Sequence, residues 1–98
     1  MRVKDLLTMT TGNEKEPTQV CVKEENWVRT FLAQNIAHPP GTQFMYNSVA
    51  TYMCSAIVQK VTGQTILDYL TPRLFEPLGI SGMRWESCPR GINTGGWA

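Results

Sequence analysis

The sequence has few residues that could hold a metal ion. It contains one histidine, His38, and three cysteines, Cys21, Cys54 and Cys88, none of which forms a C-x-x-C pair. Structural zinc sites draw on four closely spaced Cys or His ligands. We therefore predict no metal site and no cofactor. The odd number of cysteines leaves the redox compartment undecided, and the helical spacing around Cys54 favours a small buried thiol there.

Long runs of one charge or of apolar residues are also missing. Nine basic residues face eight acidic ones, for a formal net charge of +1, and they are scattered along the 98 residues. A nucleic-acid-binding protein carries a basic patch, so we predict no nucleic-acid partner. The apolar runs are too short to cross a bilayer, and the N-terminus lacks the apolar region of a signal peptide. We predict no membrane segment in this chain, which suits one small domain or a piece of a larger one.

One continuous stretch organises the rest of the chain. Residues 39–48 contain two prolines, which fix φ, and Gly41, which permits a sharp turn, so this part is predicted to be a rigid loop. The next residues follow the spacing of one buried helical face, at Val49, Tyr52, Met53, Ala56, Ile57 and Val61. Asn47 or Ser48 is a suitable N-cap and Gly63 a suitable C′ residue. The pattern predicts a helix over 48–62.

Tyr46 lies directly before the N-terminus of that predicted helix. The positive end of a helix dipole favours a phenolate or a bound anion. Tyr46 is therefore a candidate functional residue, although a tyrosine beside a helix cap is more often ordinary packing.

The remaining segments predict a mainly α fold without a sheet of three or more strands. Further helices are expected near 3–10, 25–36 and 66–76, the last one restarting with Pro72 at its N1 position. We expect residues 1–80 to form a helical unit and residues 81–98 to form an irregular tail rich in glycine and tryptophan. Trp85 and Trp97 are then the expected exposed aromatic side chains.

Four blocks of the sequence, taken in order, resemble one protein family. They are Val3–Gly12 (VKDLLTMTTG), Pro40–Tyr46 (PGTQFMY), Val61–Gly63 (VTG) and Leu74–Ile80 (LFEPLGI). These blocks are similar to segments of serine β-lactamase-like proteins, which include class C β-lactamases, penicillin-binding-protein-like carboxypeptidases and related esterases. The resemblance covers nearly the whole chain and implies the helical subdomain that this family inserts into an α/β sheet domain.

The resemblance implies acyl transfer to a serine. In this family an S-x-x-K serine attacks the carbonyl, a Y-x-N motif assists, and a K-T-G or H-x-G strand closes the site. Tyr46 matches the tyrosine, Asn47 the variable residue, and Ser48 stands where asparagine is expected. We assign catalytic roles to Tyr46 and Ser48. Asn47 is the candidate for substrate binding, although capping is the simpler role for it. A serine offers fewer hydrogen-bonding groups than an asparagine, but it could still bridge to a catalytic lysine.

The reacting groups themselves are missing from the sequence. None of the four serines is followed three residues later by lysine, and neither K-T-G nor H-x-G occurs. We therefore expect a fragment of a serine hydrolase that acts on a β-lactam, a D-Ala-D-Ala peptide or an ester. The alternative is a non-catalytic helical binding module. The resemblance also implies a periplasmic, secreted or cell-envelope location in a bacterium, and an uncovered apolar surface favours a homodimer.

Overall fold

The computed structural model describes residues 1–95, and these form a mainly helical fold. Within these 95 residues five α-helices and one π-helical turn follow one another: α1 (Val3–Leu7), α2 (Thr18–Cys21), α3 (Trp27–Leu32), α4 (Ser48–Thr62), α5 (Ile66–Leu70) and the π-helical turn Thr71–Phe75. Extended pairing within residues 1–95 is limited to two isolated bridges, Asn13–Ile36 and Ser87–Asn93. The predicted fold class is confirmed. No helix within residues 1–95 is both long enough and apolar enough to span a bilayer.

Helix α4 is the central element, and it has the predicted bounds. Asn47 is its N-cap, and its Oδ1 accepts a hydrogen bond from the Ala50 N–H over 3.1 Å. Gly63 ends the helix in the left-handed conformation, with a φ of 73°. Val49, Ala50 and Tyr52 are buried along its length, and α1, α2, α3 and α5 all contact it. The remaining helices therefore pack around α4.

The short helices differ from their predicted bounds. Helix α1 ends at Leu7 instead of residue 10, since Met9 has a φ of 55°, which is incompatible with a helix. Helix α3 begins after Asn26, whose Oδ1 accepts from the Arg29 N–H, so the predicted start at residue 25 was too early. Helix α2 was not predicted, because its four residues are too few to show a periodic pattern.

The helix predicted to restart at Pro72 instead continues as a wider turn. The Glu76 N–H donates to the Thr71 carbonyl and the Ile80 N–H to the Phe75 carbonyl, both five residues back. Proline has no N–H and crowds the carbonyl four residues before it. The π-helical turn absorbs both effects, so the restart at Pro72 was a wrong prediction.

The core joins α3, α4 and the segment that leads to residue 95. The rings of Trp27 and Tyr52 lie 5.2 Å apart, and the Tyr52 hydroxyl donates to Cys88 Sγ over 3.2 Å. Cys21 is also fully buried. Cys54 is only half-buried, because it lies beside the inward face of α4 instead of on it.

The predicted exposure of Trp85 was wrong. Its indole N–H donates to the Thr94 carbonyl, and the ring is partly buried against the chain. The exposed aromatic side chains of residues 1–95 are Phe44, at 70% exposure, and Tyr46, at 61%. Trp97, the other residue that we expected to be exposed, lies outside the described residues.

Burial of the core thiol predicts a loss of stability at high pH. Desolvation, followed by the nearby Glu16 carboxylate, raises the pKa of Cys21 from 9.0 to about 11. The native state then holds this proton more tightly than the unfolded state. The free energy of unfolding is therefore retained below pH 9.0 and decreases as the pH rises from 9.0 to about 11. Burial raises the pKa of Tyr52 in the same direction. We expect the free energy of unfolding to fall by about 2 kcal/mol from Cys21 across this window.

Urea denaturation at a series of pH values measures this effect. In Cys21→Ser the side chain at position 21 does not titrate between pH 9 and 11, so the free energy of unfolding of this variant should fall less steeply with pH than that of the wild type. The comparison uses slopes, because the substitution itself changes stability at every pH. Equal slopes in the two proteins would contradict the assignment to Cys21.

Candidate functional site

The predicted site residues stand at the N-terminus of α4 in three different environments. Tyr46 precedes the helix, and 61% of its surface is exposed. Asn47 is the N-cap and is fully buried, whereas Ser48 is the first helical residue and is half-buried. The two predicted catalytic residues, exposed Tyr46 and half-buried Ser48, thus stand on either side of the buried Asn47 side chain.

The Asn47 side chain connects α4 to the turn that follows α1. While its Oδ1 caps the helix, its Nδ2 donates to Thr11 Oγ1 and to Asn13 Oδ1, both over 3.3 Å. Thr11 Oγ1 also donates to Asn13 Oδ1 over 2.5 Å. Thr11, Asn13 and Asn47 are all buried. This placement supports the capping role of Asn47, and its part in substrate binding stays a prediction.

The backbone on both sides of Tyr46 is attached to Met9. The Met45 N–H donates to the Met9 carbonyl over 2.9 Å, and the Asn47 N–H donates to Met9 Sδ over 3.4 Å. Met9 adopts a positive φ of 55°, which non-glycine residues rarely do. Such strain persists only where surrounding contacts impose it. Tyr46 therefore has an exposed side chain on a backbone that is held by hydrogen bonds before and after it.

The loop before Tyr46 lies directly against the turn at Gly12. The Gly12 carbonyl accepts hydrogen bonds from the Ala37 N–H over 2.8 Å and from the His38 N–H over 3.1 Å. Gly12 has a φ of 90°, and a Cβ there would lie 2.1 Å from the His38 carbonyl oxygen. In the sequence Gly12 stands out only as the last residue of the first block of resemblance. A glycine signals conformational freedom but does not show which distant segment approaches it.

A buried carboxylate packs against the same loop. Asp5 is 2% exposed and accepts a hydrogen bond from the Arg2 N–H over 2.8 Å. The Arg2 guanidinium lies 3.9 Å from its other oxygen. At Gly41 a Cβ would stand 3.1 Å from Asp5 Oδ1, so the loop backbone packs closely on this carboxylate. Nothing in the sequence indicates the burial of Asp5, because aspartate side chains are mostly exposed.

The arrangement offers two hydroxyl groups beside a helix N-terminus. A phenol and an aliphatic hydroxyl can each donate and accept a hydrogen bond. The 15 residues of α4 present their positive dipole end at this place. The site can therefore hold an oxygen that carries negative charge. Within residues 1–95 no three His, Cys, Asp or Glu side chains gather in a way that could hold a metal ion.

Comparison with known proteins adds one finding. The family model described as Beta-lactamase matches residues 1–97. No curated protein matches the chain. The match spans the four sequence blocks and includes Tyr46, Asn47 and Ser48.

The close approach at Gly12 leads to a prediction about stability. In Gly12→Ala the new methyl group would overlap the His38 carbonyl and the residue would keep an unfavourable φ, so we expect the free energy of unfolding to fall by at least about 3 kcal/mol. Gly63→Ala is the matched control, since it has a similar φ of 73° and nothing within 4 Å of its Cβ. That variant should lose only about 1 to 2 kcal/mol, the cost of a left-handed non-glycine residue. Urea denaturation of both variants measures the difference, and equal losses would show that the loop does not pack on Gly12.

Proposed function

We propose, because the chain belongs to the beta-lactamase family, that it forms the helical wall of a serine acyl-hydrolase site in the intact protein. The observation that carries this proposal is the exposed Tyr46 side chain on a fixed backbone at the N-terminus of α4. A catalytic group must be accessible to substrate and also held in place. Tyr46 meets both conditions.

Tyr46 is proposed to move the proton of the acylating serine, and Ser48 to orient the groups around it. A phenol within hydrogen-bonding reach of a nucleophile can take and return its proton. The hydroxyl of Ser48, one helical position after the N-cap, can donate to or accept from a neighbouring side chain. The S-x-x-K serine and the K-T-G or H-x-G segment are not among the 98 residues, so other parts of the intact protein would supply them.

The proposed substrates share a carbonyl that becomes tetrahedral during acyl transfer. A β-lactam, a D-Ala-D-Ala peptide and a simple ester all develop negative charge on the carbonyl oxygen. The dipole of α4 supports an anionic group near its N-terminus. This favours the class of reaction without choosing among the three substrates.

The test is hydrolysis of a chromogenic cephalosporin and of a nitrophenyl ester by the intact protein that contains this chain. Removing a general acid–base group usually costs about 100-fold or more in rate, so Tyr46→Phe should lower kcat by at least that factor. The matched control is Tyr69→Phe, since Tyr69 lies on α5 and its ring stacks against the Arg73 guanidinium 4.0 Å away. That variant should keep the wild-type rate.

Two results would count against the proposal. Full activity in Tyr46→Phe would remove the catalytic assignment, and an intact protein that hydrolyses neither substrate would favour a non-catalytic binding module. The 98-residue chain alone should be inactive, because it lacks the nucleophile.

The chain alone is also proposed to self-associate through an apolar face. Two grooves of about 310 and 220 Å³ share Met53 and Ile57, and helices α1, α3 and α4 contribute most of their walls. Leu32 is 67% exposed at the second groove. Exposed apolar patches larger than a few hundred Å² usually mark a surface that a partner covers.

Sedimentation of the 98-residue chain measures this association. We expect Leu32→Glu to shift the chain from dimer to monomer, because a carboxylate would have to be buried at the contact. Leu78→Glu is the control, since Leu78 is 63% exposed and lines neither groove. A wild-type chain that remains monomeric at millimolar concentration would contradict the proposal.

A further inference from the structure

We infer that Thr11 and Asn13 are positioning residues for Tyr46 and Ser48 and that they act through the buried Asn47 amide. The inference rests on the proposed function for its catalytic consequence, but its structural part can be tested separately. It concerns the closed set of hydrogen bonds among Thr11, Asn13 and Asn47, which we call the amide triad.

The amide triad fixes both ends of the Asn47 side chain. An N-cap needs only the oxygen of an asparagine, and here Oδ1 accepts from the Ala50 N–H. The Nδ2 end adds two hydrogen bonds to the turn after α1, each 3.3 Å long. Since the amide is planar, holding it at both ends sets its rotation. The backbone of Asn47 in turn sets the directions in which the side chains of Tyr46 and Ser48 project from the chain.

The amide triad contains one buried donor without a partner, and this destabilising feature indicates a role beyond stability. Asn13 Oδ1 accepts from both Thr11 and Asn47, yet Asn13 Nδ2 is buried without a hydrogen-bond partner among the described residues. A buried unpaired amide donor is destabilising. A simple helix cap on an apolar turn would avoid that loss. Such departures from a stable arrangement are expected where a site must be oriented.

Met9 supports the same orientation through the backbone. Its carbonyl accepts from the Met45 N–H and its sulfur from the Asn47 N–H, so Met9 holds the residues before and after Tyr46. The turn of residues 9–13 therefore touches the predicted motif through Met9, Thr11 and Asn13, while Tyr46 itself remains exposed. Placement errors of about 1 Å at a catalytic group can cost up to about 100-fold in rate.

The experiment removes one hydroxyl while keeping the shape of the side chain. Thr11→Val is isosteric and lacks the hydroxyl, whereas Thr11→Ser keeps it, so this pair separates the hydrogen bond from packing. Asn13→Ala removes the acceptor from the other side and serves as the second variant if Thr11→Val does not fold. All three are compared at a temperature at which circular dichroism shows them folded.

Two measurements are made on these variants. In the intact protein we expect Thr11→Val and Asn13→Ala to lower kcat about tenfold with KM changed less than about twofold, and Thr11→Ser to restore kcat. In the 98-residue chain we expect the ring resonances of ¹³C-labelled Tyr46 to shift in Thr11→Val and to return toward wild type in Thr11→Ser. The second measurement does not depend on catalysis.

The outcomes separate this inference from the proposed function. An inactive intact protein with the expected Tyr46 shifts would reject the hydrolase proposal and keep the positioning role of the amide triad. Unchanged Tyr46 resonances in Thr11→Val would overturn the inference, as would an active protein whose kcat does not change. Equal losses of kcat in Thr11→Val and Thr11→Ser would also overturn it, because the hydroxyl would then not be the cause.

Discussion

The rest of the structure depends on the buried amide of Asn47, which meets two different demands at once. Its oxygen satisfies a free N–H at the start of α4, and its nitrogen reaches Thr11 and Asn13 in the turn after α1. Because α4 contacts four of the other helices, the position of its N-terminus sets the position of the whole core. One side chain therefore links the packing of the fold to the geometry of the candidate site.

Local signals explain why α4 could be predicted to the residue and other elements could not. An asparagine before the apolar pattern and a glycine after it mark the two ends of a helix. Each of these caps depends only on hydrogen bonds to residues a few positions away in the sequence. Helix α2 is too short to carry such a pattern, and the π-helical turn depends on how the chain accommodates Pro72. The position of Trp85 depends on the hydrogen bond of its indole N–H to the Thr94 carbonyl, nine residues later, which no local pattern specifies.

The sequence nominated residues 46–48 as the candidate site, but it did not specify how their side chains are oriented. The resemblance located residues 46–48, and the alternation of exposed, buried and half-buried side chains followed only from the structure. Asn47 turns inward because its partners lie 36 and 34 residues earlier in the chain. Asp5, Met9 and Gly12 support the loop through contacts of the same long range. A single sequence shows which residues are capable of such contacts, but not which pairs form.

Two tyrosines, one just before α4 and one within it, differ sharply in burial. Tyr52 is fully buried against Trp27, its hydroxyl donates to Cys88 Sγ, and desolvation raises its pKa well above the ordinary value. This phenol is closed off from solvent and contributes to the core through its packing and its hydrogen bond. Tyr46 lies six residues earlier, outside the helix, with most of its ring accessible. The N-cap Asn47 thus separates a buried tyrosine of the core from an exposed tyrosine at the candidate site.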